Sequence, residues 1–108
     1  MSVHSKKMYI SGPMTGFPNQ NHDLFNKIAK LIKERYKIEY FSPAENFDGE
    51  LGLPRYAYML EDIRGLIYCD SIVMLEGWEK SKGARLELEI AKEINLIWHL
   101  LIFPSLLA

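Results

Sequence analysis

The stretch DIRGLIYCDSIVMLEGW, residues 62–78, joins the end of a predicted helix to a short predicted strand. Met59, Ile63 and Leu66 recur at the spacing of one helical face, so the stretch begins inside a helix. The apolar run that follows, Ser71–Leu75, has the length of a strand. A helix that passes directly into a strand is the pattern of a chain that alternates the two kinds of element.

The same alternation extends along the whole sequence. In chain order the predicted elements are the strand Lys7–Ser11, a helix from Leu24 to about Tyr36, a strand over residues 38–41, a helix from Pro54 to about Tyr68, the strand Ser71–Leu75, a helix that starts near Ser81 and a buried strand over residues 96–103. This order predicts an α/β fold: a doubly wound, mainly parallel sheet of four to five strands with helices on both faces, flavodoxin-like or Rossmann-like. With 108 residues, of which 48% are hydrophobic, the chain suits a single domain over residues 1–108.

Charge balance and cysteine content argue against several classes of protein. Lys and Arg total 13, Asp and Glu total 14, and no basic block occurs, so a duplex nucleic-acid binder is not expected. Cys69 is the single cysteine, which precludes an internal disulfide and a multi-cysteine metal site. The stretch MSVHSKKMYI, residues 1–10, has no apolar run long enough to predict a signal peptide, and no run in the sequence reaches the ~20 apolar residues that a membrane span needs. We therefore expect a cytoplasmic protein without a membrane partner.

The C-terminal segment LIWHLLIFPSLLA, residues 96–108, is the most apolar part of the sequence. Its first part fits a strand of a parallel sheet covered on both faces, because such strands show unbroken apolar runs. The residues after Pro104 either cover an interface between subunits or pack on the domain's own core. The small core and this apolar end favour a homodimer or a higher homo-oligomer.

Three loops are expected to form a ligand site, because open α/β sheets bind ligands outside the carboxyl ends of their strands. They cover residues 11–21, 42–53 and 76–82. In the first, YISGPMTG at residues 9–16, the glycines allow a ligand to approach the backbone closely, and Thr15 offers a hydroxyl. This loop lacks the lysine of a P-loop and the spacing of a dinucleotide fingerprint, and an ordinary turn at the end of a strand is the alternative.

Glu87 lies on the unexpected side of the helix that begins in SKGARLELEIA, residues 81–91. At about 100° per residue, its side chain projects into the apolar sector beside the small residues Gly83 and Ala84. An inward carboxylate is costly unless it is paired or solvated, so this position predicts a cavity beside Glu87. The alternative is a glutamate that caps a backbone N–H or pairs with a lysine such as Lys82.

Four segments taken together resemble the nucleoside 2-deoxyribosyltransferase superfamily, in particular its short, often phage-encoded members. They are YISGPMTG at residues 9–16, SPAEN at 42–46, DIRGLIYCDSIVMLEGW at 62–78 and SKGARLELEIA at 81–91, and the resemblance covers nearly the whole chain. It implies cleavage of the N-glycosidic bond of 2-deoxyribonucleosides or of their 5′-monophosphates. Either water or a second base then accepts the sugar. The resemblance implies no metal and no organic cofactor.

The resemblance also implies three catalytic residues. Glu87 matches the nucleophile whose carboxylate attacks the anomeric carbon to give a covalent deoxyribosyl-enzyme, in the manner of a retaining glycosidase. Tyr9 matches the family's catalytic tyrosine, although by pattern alone a tyrosine in a first strand is more often a core residue. Asp62 matches an acidic residue near the leaving base or the sugar hydroxyl, although its place at the edge of an apolar stripe also suits a solvated aspartate.

The candidate substrate-binding residues come from the three loops: Ser11, Gly12, Pro13, Thr15, Gly16, Glu45, Trp78, Ser81, Lys82 and Gly83. Family members that take monophosphates have hydroxyl and arginine donors where this chain has Pro13 and Thr15, which puts phosphate recognition by the first loop in doubt. The helix start at Ser81 offers another place for an anion. Glu45 either lines the crevice or caps its loop together with Asn46, and Trp78 either stacks on a base or packs at the rim.

Two functions from different classes fit these residues. An enzyme needs Glu87 and Tyr9 in one pocket, whereas a non-catalytic nucleotide-binding module needs only the loops and their donors. In both cases the expected partner is a small-molecule nucleoside or nucleotide. His4, His22 and His99 show no metal-ligand spacing, so no metal site is expected.

Overall fold

The computed structural model describes residues 6–49 and 52–101. Its strands are β1 Lys7–Ser11, β2 Glu39–Phe41, β3 Ser71–Leu75 and β4 Ile97–Leu101. Its helices are α1 His22–Arg35, α2 Arg55–Ile67 and α3 Lys82–Glu93, with short 3-10 turns at Pro18–Asn21, Pro43–Gly49 and Trp78–Lys80. The described strands form one parallel sheet in the order β2-β1-β3-β4. The α/β fold class predicted from the sequence is confirmed.

Side chains of β1 alternate between the two faces of the sheet, and each face meets its own layer of helices. Met8 and Ile10 face α1 and form with it the α1 core, to which this helix contributes Phe25, Ile28, Ala29 and Ile32. Tyr9 faces the opposite side and belongs to the α2-α3 core, to which the chain from α2 through α3 contributes Leu66, Cys69, Ala84, Leu88 and Ala91. Helices therefore cover both faces, as the element order predicts.

The chain reverses its direction across the sheet after β2. From β1 it moves outward to β2, and from there it returns past β1 to β3 and then to β4. If every crossover is right-handed, α1 lies on one face and both other helices lie on the opposite face, which is the arrangement observed. The reversal leaves a crevice between the carboxyl ends of β1 and β3, the place where such sheets bind ligands.

The last strand is less buried than its apolar sequence predicts. Ile97 is 55% exposed and Trp98 is 44% exposed, so the prediction of a buried strand is wrong for this part of β4. The physical reason is that β4 lies at the edge of the described sheet, while α1 packs on β1, on β3 and on β2 at the opposite edge. Lys92 partly covers the indole, with Nζ 5.5 Å from the centroid of the Trp98 ring. Residues 102 and 103 of the predicted strand and the segment after Pro104 lie outside the described residues.

Candidate active site

A cavity of about 960 Å³ lies at the carboxyl ends of the strands, where the crevice was predicted. Six of the predicted substrate-binding residues line it: Gly12, Pro13, Thr15, Ser81, Lys82 and Gly83. Two of the predicted catalytic residues, Asp62 and Glu87, also line it. The loops after β1 and β3 and the helices α2 and α3 therefore converge on one space. This volume is within the range of small-molecule binding sites.

Glu87 is held by two hydroxyl groups that rise from β1. Tyr9 donates through its hydroxyl to Oε2 of Glu87 at 2.7 Å, and Ser11 donates through Oγ to Oε1 at 2.6 Å. Glu87 caps no backbone N–H of its helix, because that role belongs to Ser81, whose Oγ accepts a hydrogen bond from the Ala84 N–H at 3.2 Å. Within the described residues no ion pair joins Glu87 to Lys82 either, and the Glu87 side chain lines the cavity.

The alternation of β1 and the periodicity of α3 explain this meeting. Tyr9 and Ser11 lie two positions apart on the strand, so both face the α2-α3 core. Ala84 and Ala91 lie three positions before and four positions after Glu87 on the buried side of α3, which turns Glu87 toward the sheet. Gly83 leaves the adjoining volume open, since a Cβ added there would meet no atom within 4 Å.

Burial sets the protonation of this cluster. It raises the pKa of Glu87 to about 7, against the opposing effects of the bonds from Ser11 and Tyr9 and of the positive charge on Arg55. Burial, and next the negative charge of Glu87, raises the pKa of Tyr9 well above its ordinary value, so Tyr9 remains a neutral donor. The two donated bonds favour the ionised form of Glu87, which is the form a nucleophile needs.

Asp62 presents a second carboxyl group to the same cavity. It is half-buried on α2, and its Oδ1 accepts a hydrogen bond from Nδ2 of Asn46. Burial, and next the negative charge of Glu87, raises the pKa of Asp62 to about 7, while the bond from Asn46 acts in the opposite direction. Two acidic groups in one cavity with different partners can divide the roles of nucleophile and acid.

Four of the predicted substrate-binding residues lie outside the cavity lining: Ser11, Gly16, Glu45 and Trp78. Ser11 is fully buried beneath Glu87, so it is placed to hold that carboxylate and not to touch a ligand. Glu45 is exposed and accepts a hydrogen bond from the hydroxyl of Tyr40 at 2.6 Å. Trp78 packs against the α2-α3 core, and its Nε1 is buried without a hydrogen-bond partner among the described residues.

Several residues of the site were missed by sequence reasoning. Asn46 of the motif SPAEN was considered only as a partner of Glu45 in a loop cap, because its contact with Asp62 depends on tertiary structure. Arg55 and Lys80 add positive charge to the cavity lining. The helical spacing of Arg55, Met59 and Asp62 was a usable signal, since all three residues line the cavity from one side of α2.

Among the described residues, no three His, Cys, Asp or Glu side chains lie close enough together to hold a metal ion. Over the same part of the chain, no helix has both the length and the apolar character needed to cross a membrane.

The fold and the site define an open parallel α/β protein with a hydrogen-bonded glutamate at the topological switch point. The fold is similar to that of the 2-desoxiribosyltransferase from Leishmania mexicana, with a TM-score of 0.71 and 20% identity, over 90% of this chain and 64% of that one. A conserved protein from Enterococcus faecalis V583 matches with a TM-score of 0.68 and 19% identity, over 93% of this chain and 65% of that one. The chain thus spans slightly less than two thirds of the length of each.

The chain belongs to the family described as Domain of unknown function (DUF4406), which matches residues 6–98. The match includes all of α1, α2 and α3 and every residue of the cavity named above. No curated protein matches the chain. The family therefore carries no assigned reaction, and a function has to be argued from the site.

Proposed function

We propose that the protein cleaves the N-glycosidic bond of 2-deoxyribonucleosides or of their 5′-monophosphates, with release of the base to water or transfer of the sugar to a second base. The observation that carries the proposal is the carboxylate of Glu87, which two hydroxyl donors hold at the wall of a cavity of about 960 Å³. The fold shared with a 2-desoxiribosyltransferase supports the same reaction class.

In the first step, a lone pair on a carboxylate oxygen of Glu87 forms a bond to C1′ of the sugar while the bond from C1′ to the base nitrogen breaks. The electron pair of the broken bond passes to the base, and the sugar is left as an ester of Glu87. A carboxylate beside an oxocarbenium-like transition state is the arrangement used by retaining glycosidases. Open space beside Gly83 provides room for the sugar.

Asp62 supplies the proton that the departing base needs. Its pKa of about 7 keeps a protonated fraction near neutral pH, and the negative charge of Glu87 favours that form. In the second step, the resulting Asp62 carboxylate accepts a proton from water, or from the second base, as the oxygen or nitrogen of that acceptor bonds to C1′. The ester bond between C1′ and Glu87 breaks as this new bond forms, and its electron pair returns to the carboxylate of Glu87, so Glu87 and Asp62 regain their starting forms.

The hydroxyl groups of Tyr9 and Ser11 fix the orientation of Glu87. Each carboxylate oxygen accepts one of these bonds, so both oxygens are oriented before a substrate arrives. Such preorganisation lowers the reorganisation needed to reach the transition state. The bonds also favour the charged carboxylate over the protonated acid.

A second candidate function, nucleotide binding without catalysis, is favoured by the cations of the cavity. Arg55, Lys80 and Lys82 line it with exposed side chains, and none of the three forms a salt bridge within the described residues. Three positive groups around one opening attract an anionic ligand such as a 5′-monophosphate. A protein that only binds would need these groups and would not need Glu87 to be ionised.

The test is incubation of the protein with a panel of deoxynucleosides and deoxynucleoside 5′-monophosphates, with and without a second base, followed by chromatography of the released base. Wild type is expected to release base, and Glu87→Gln to reduce the rate by roughly a thousandfold or more, since it removes the nucleophile. Mass spectrometry of the peptide around Glu87 is expected to show a deoxyribosyl adduct when the reaction is stopped during turnover.

Glu89→Gln is the matched control, because Glu89 is an exposed glutamate on the same helix. It is expected to retain the wild-type rate. Tight binding of a panel member by calorimetry, without release of base, would favour the nucleotide-binding module. Release that persists at the wild-type rate in Glu87→Gln would reject Glu87 as the nucleophile.

A further inference from the structure

We infer that Phe41 is a positioning residue for the hydrogen bond from Tyr9 to Glu87, and that Gly65 provides the space that its ring needs. The inference concerns the geometry of the candidate site. Only the measurement of catalytic activity that tests it rests on the proposed function. Phe41 is not part of the cavity lining and would act only through Tyr9.

The Tyr9 and Phe41 rings form a cross-strand pair. The two residues are register partners on the parallel strands β1 and β2, so their side chains emerge side by side on one face of the sheet. Their ring centroids lie 5.4 Å apart, and the ring planes differ by 9°. A stacked contact of this kind restrains the Tyr9 ring, whose hydroxyl donates to Oε2 of Glu87.

Gly65 of α2 determines where the Phe41 ring can lie. A Cβ built at Gly65 would come within 2.3 Å of Cε2 and 2.4 Å of Cδ2 and Cζ of Phe41. The edge of the ring therefore rests directly against the backbone of α2, in a space that no other residue type at position 65 would leave open. Phe41 is thus in contact with α2 and with Tyr9 at the same time.

Because Phe41 contacts both α2 and Tyr9, the packing of α2 influences where the Tyr9 hydroxyl lies. Tyr9 itself is fully buried, so its ring has no solvent space into which it can relax. Removal of the Phe41 ring would create that space beside Tyr9. The Tyr9 hydroxyl would then donate to Glu87 for a smaller fraction of the time, and the ionised form of Glu87 would lose part of its stabilisation.

The experiment is a double-mutant cycle read by NMR titration of Glu87 in protein labelled at glutamate Cδ, with the signal assigned by its loss in Glu87→Gln. Tyr9→Phe removes the donor and is expected to move the titration midpoint of Glu87 upward by roughly one pH unit. Phe41→Leu is expected to move it in the same direction by a smaller amount. In protein that already carries Tyr9→Phe, Phe41→Leu is expected to add no shift.

Two results would overturn the inference: an unchanged midpoint in Phe41→Leu, or an equal shift in Phe41→Leu with and without Tyr9→Phe. The other ionisable groups that act on Tyr9 and Glu87, which are Asp62 and Arg55 of α2 and the thiol of Cys69, are unchanged throughout. Ile32→Val, which trims the α1 core, is the control for a general loss of stability. It is expected to lower stability without moving the Glu87 midpoint.

The activity arm separates this inference from the proposed function. If wild type releases base, Phe41→Leu is expected to lower kcat several-fold, with KM little changed, and to move the acidic limb of the pH-rate profile upward. Failure of wild type to release base from any panel member would reject the proposed function. The NMR cycle would still decide whether Phe41 positions Tyr9.

Discussion

The two cores of the molecule differ in the kinds of side chain that they bury. The α1 core joins apolar side chains of the sheet to those of one helix, among them Met8, Ile10 and Ile32. The α2-α3 core includes Tyr9, and the buried Ser11 faces this core from the same strand. The hydroxyls of both residues donate to a carboxylate. Apolar burial is the main favourable term in folding, whereas a buried carboxyl group opposes folding unless it is protonated or well paired.

The two faces of the sheet therefore contribute differently to stability and to the candidate site. The α1 core can supply stability because nothing in it needs to be charged. The side of the sheet that α2 and α3 cover holds the groups to which the proposed function assigns the chemistry, and burial raises the pKa of both Glu87 and Asp62 to about 7. Sites of this kind commonly reduce the stability of the fold that holds them.

The largest expected difference between the cores is in the free energy of unfolding. Ile32→Ala removes a fully buried side chain from the α1 core and is expected to lower this free energy by about 2–5 kcal/mol. Glu87→Gln is expected to leave it unchanged or to raise it, because the variant removes a group whose charge is costly to bury. Urea denaturation of both variants near neutral pH measures the difference. A loss in Glu87→Gln as large as that in Ile32→Ala would make Glu87 a structural residue.

The next effect depends on pH. In the folded protein the pKa of Glu87 is raised to about 7 by burial, whereas in the unfolded chain a glutamate titrates near its ordinary value of about 4. The stability that protonation contributes is therefore complete below about pH 4 and is lost as the pH rises through about 7. Glu87→Gln should thus stabilise the protein more at about pH 8 than at about pH 5, by on the order of 1–3 kcal/mol. Glu89→Gln, which alters an exposed carboxylate, should show no such difference.

Much of the fold could be predicted from the sequence, because most elements have local signals. The strands Lys7–Ser11 and Ser71–Leu75 have the predicted bounds, since each is a short apolar run that ends at a turn. The start of α1 at His22 was missed by two residues. The three residues before it have left-handed backbone conformations: Asn19, Gln20 and Asn21 have φ values of 49°, 54° and 63°. No sequence pattern predicts three successive left-handed residues without a glycine. The predicted burial of β4 was wrong because the order of strands in the sheet places β4 at an edge, and the apolar run of a strand does not indicate its position in that order.

The site was predictable only in part. The inward direction of Glu87 follows from helical periodicity, and the convergence of the loops follows from the rule for open sheets. The actual partners of the carboxyl groups do not follow, because they join elements that are distant along the chain. Ser11 lies 76 residues before Glu87, and Asn46 lies 16 residues before Asp62. Which of these residues touches a carboxylate depends on the packing of α2 and α3 against the sheet.

A smaller difference in stability is expected between alanine variants of two helical glycines, Gly65 in α2 and Gly83 in α3. Gly65→Ala is expected to lower stability by about 1–2 kcal/mol, because the clash with Phe41 outweighs the better helix propensity of alanine. Gly83→Ala is expected not to lower it, since the added methyl group meets no atom within 4 Å. Thermal unfolding compares the two variants. Equal melting temperatures would show that the Phe41 ring moves aside without cost.

The smallest expected effect concerns Asn46, whose amide, under the proposed function, favours different roles for the two carboxyl groups. Oδ1 of Asp62 accepts from this amide, so the proton of the neutral acid is carried by Oδ2, the oxygen left to serve a departing base. The bond lowers the pKa of Asp62 against the larger effect of burial, so Asn46→Ala should raise that pKa further. The alkaline limb of the pH-rate profile should then move upward, by less than about one pH unit. Gln20→Ala removes another amide of the cavity lining and should leave the limb in place. An acidic limb that moved instead would assign the bond from Asn46 to the control of Glu87, and the two carboxyl groups would then have to be treated as one titrating pair.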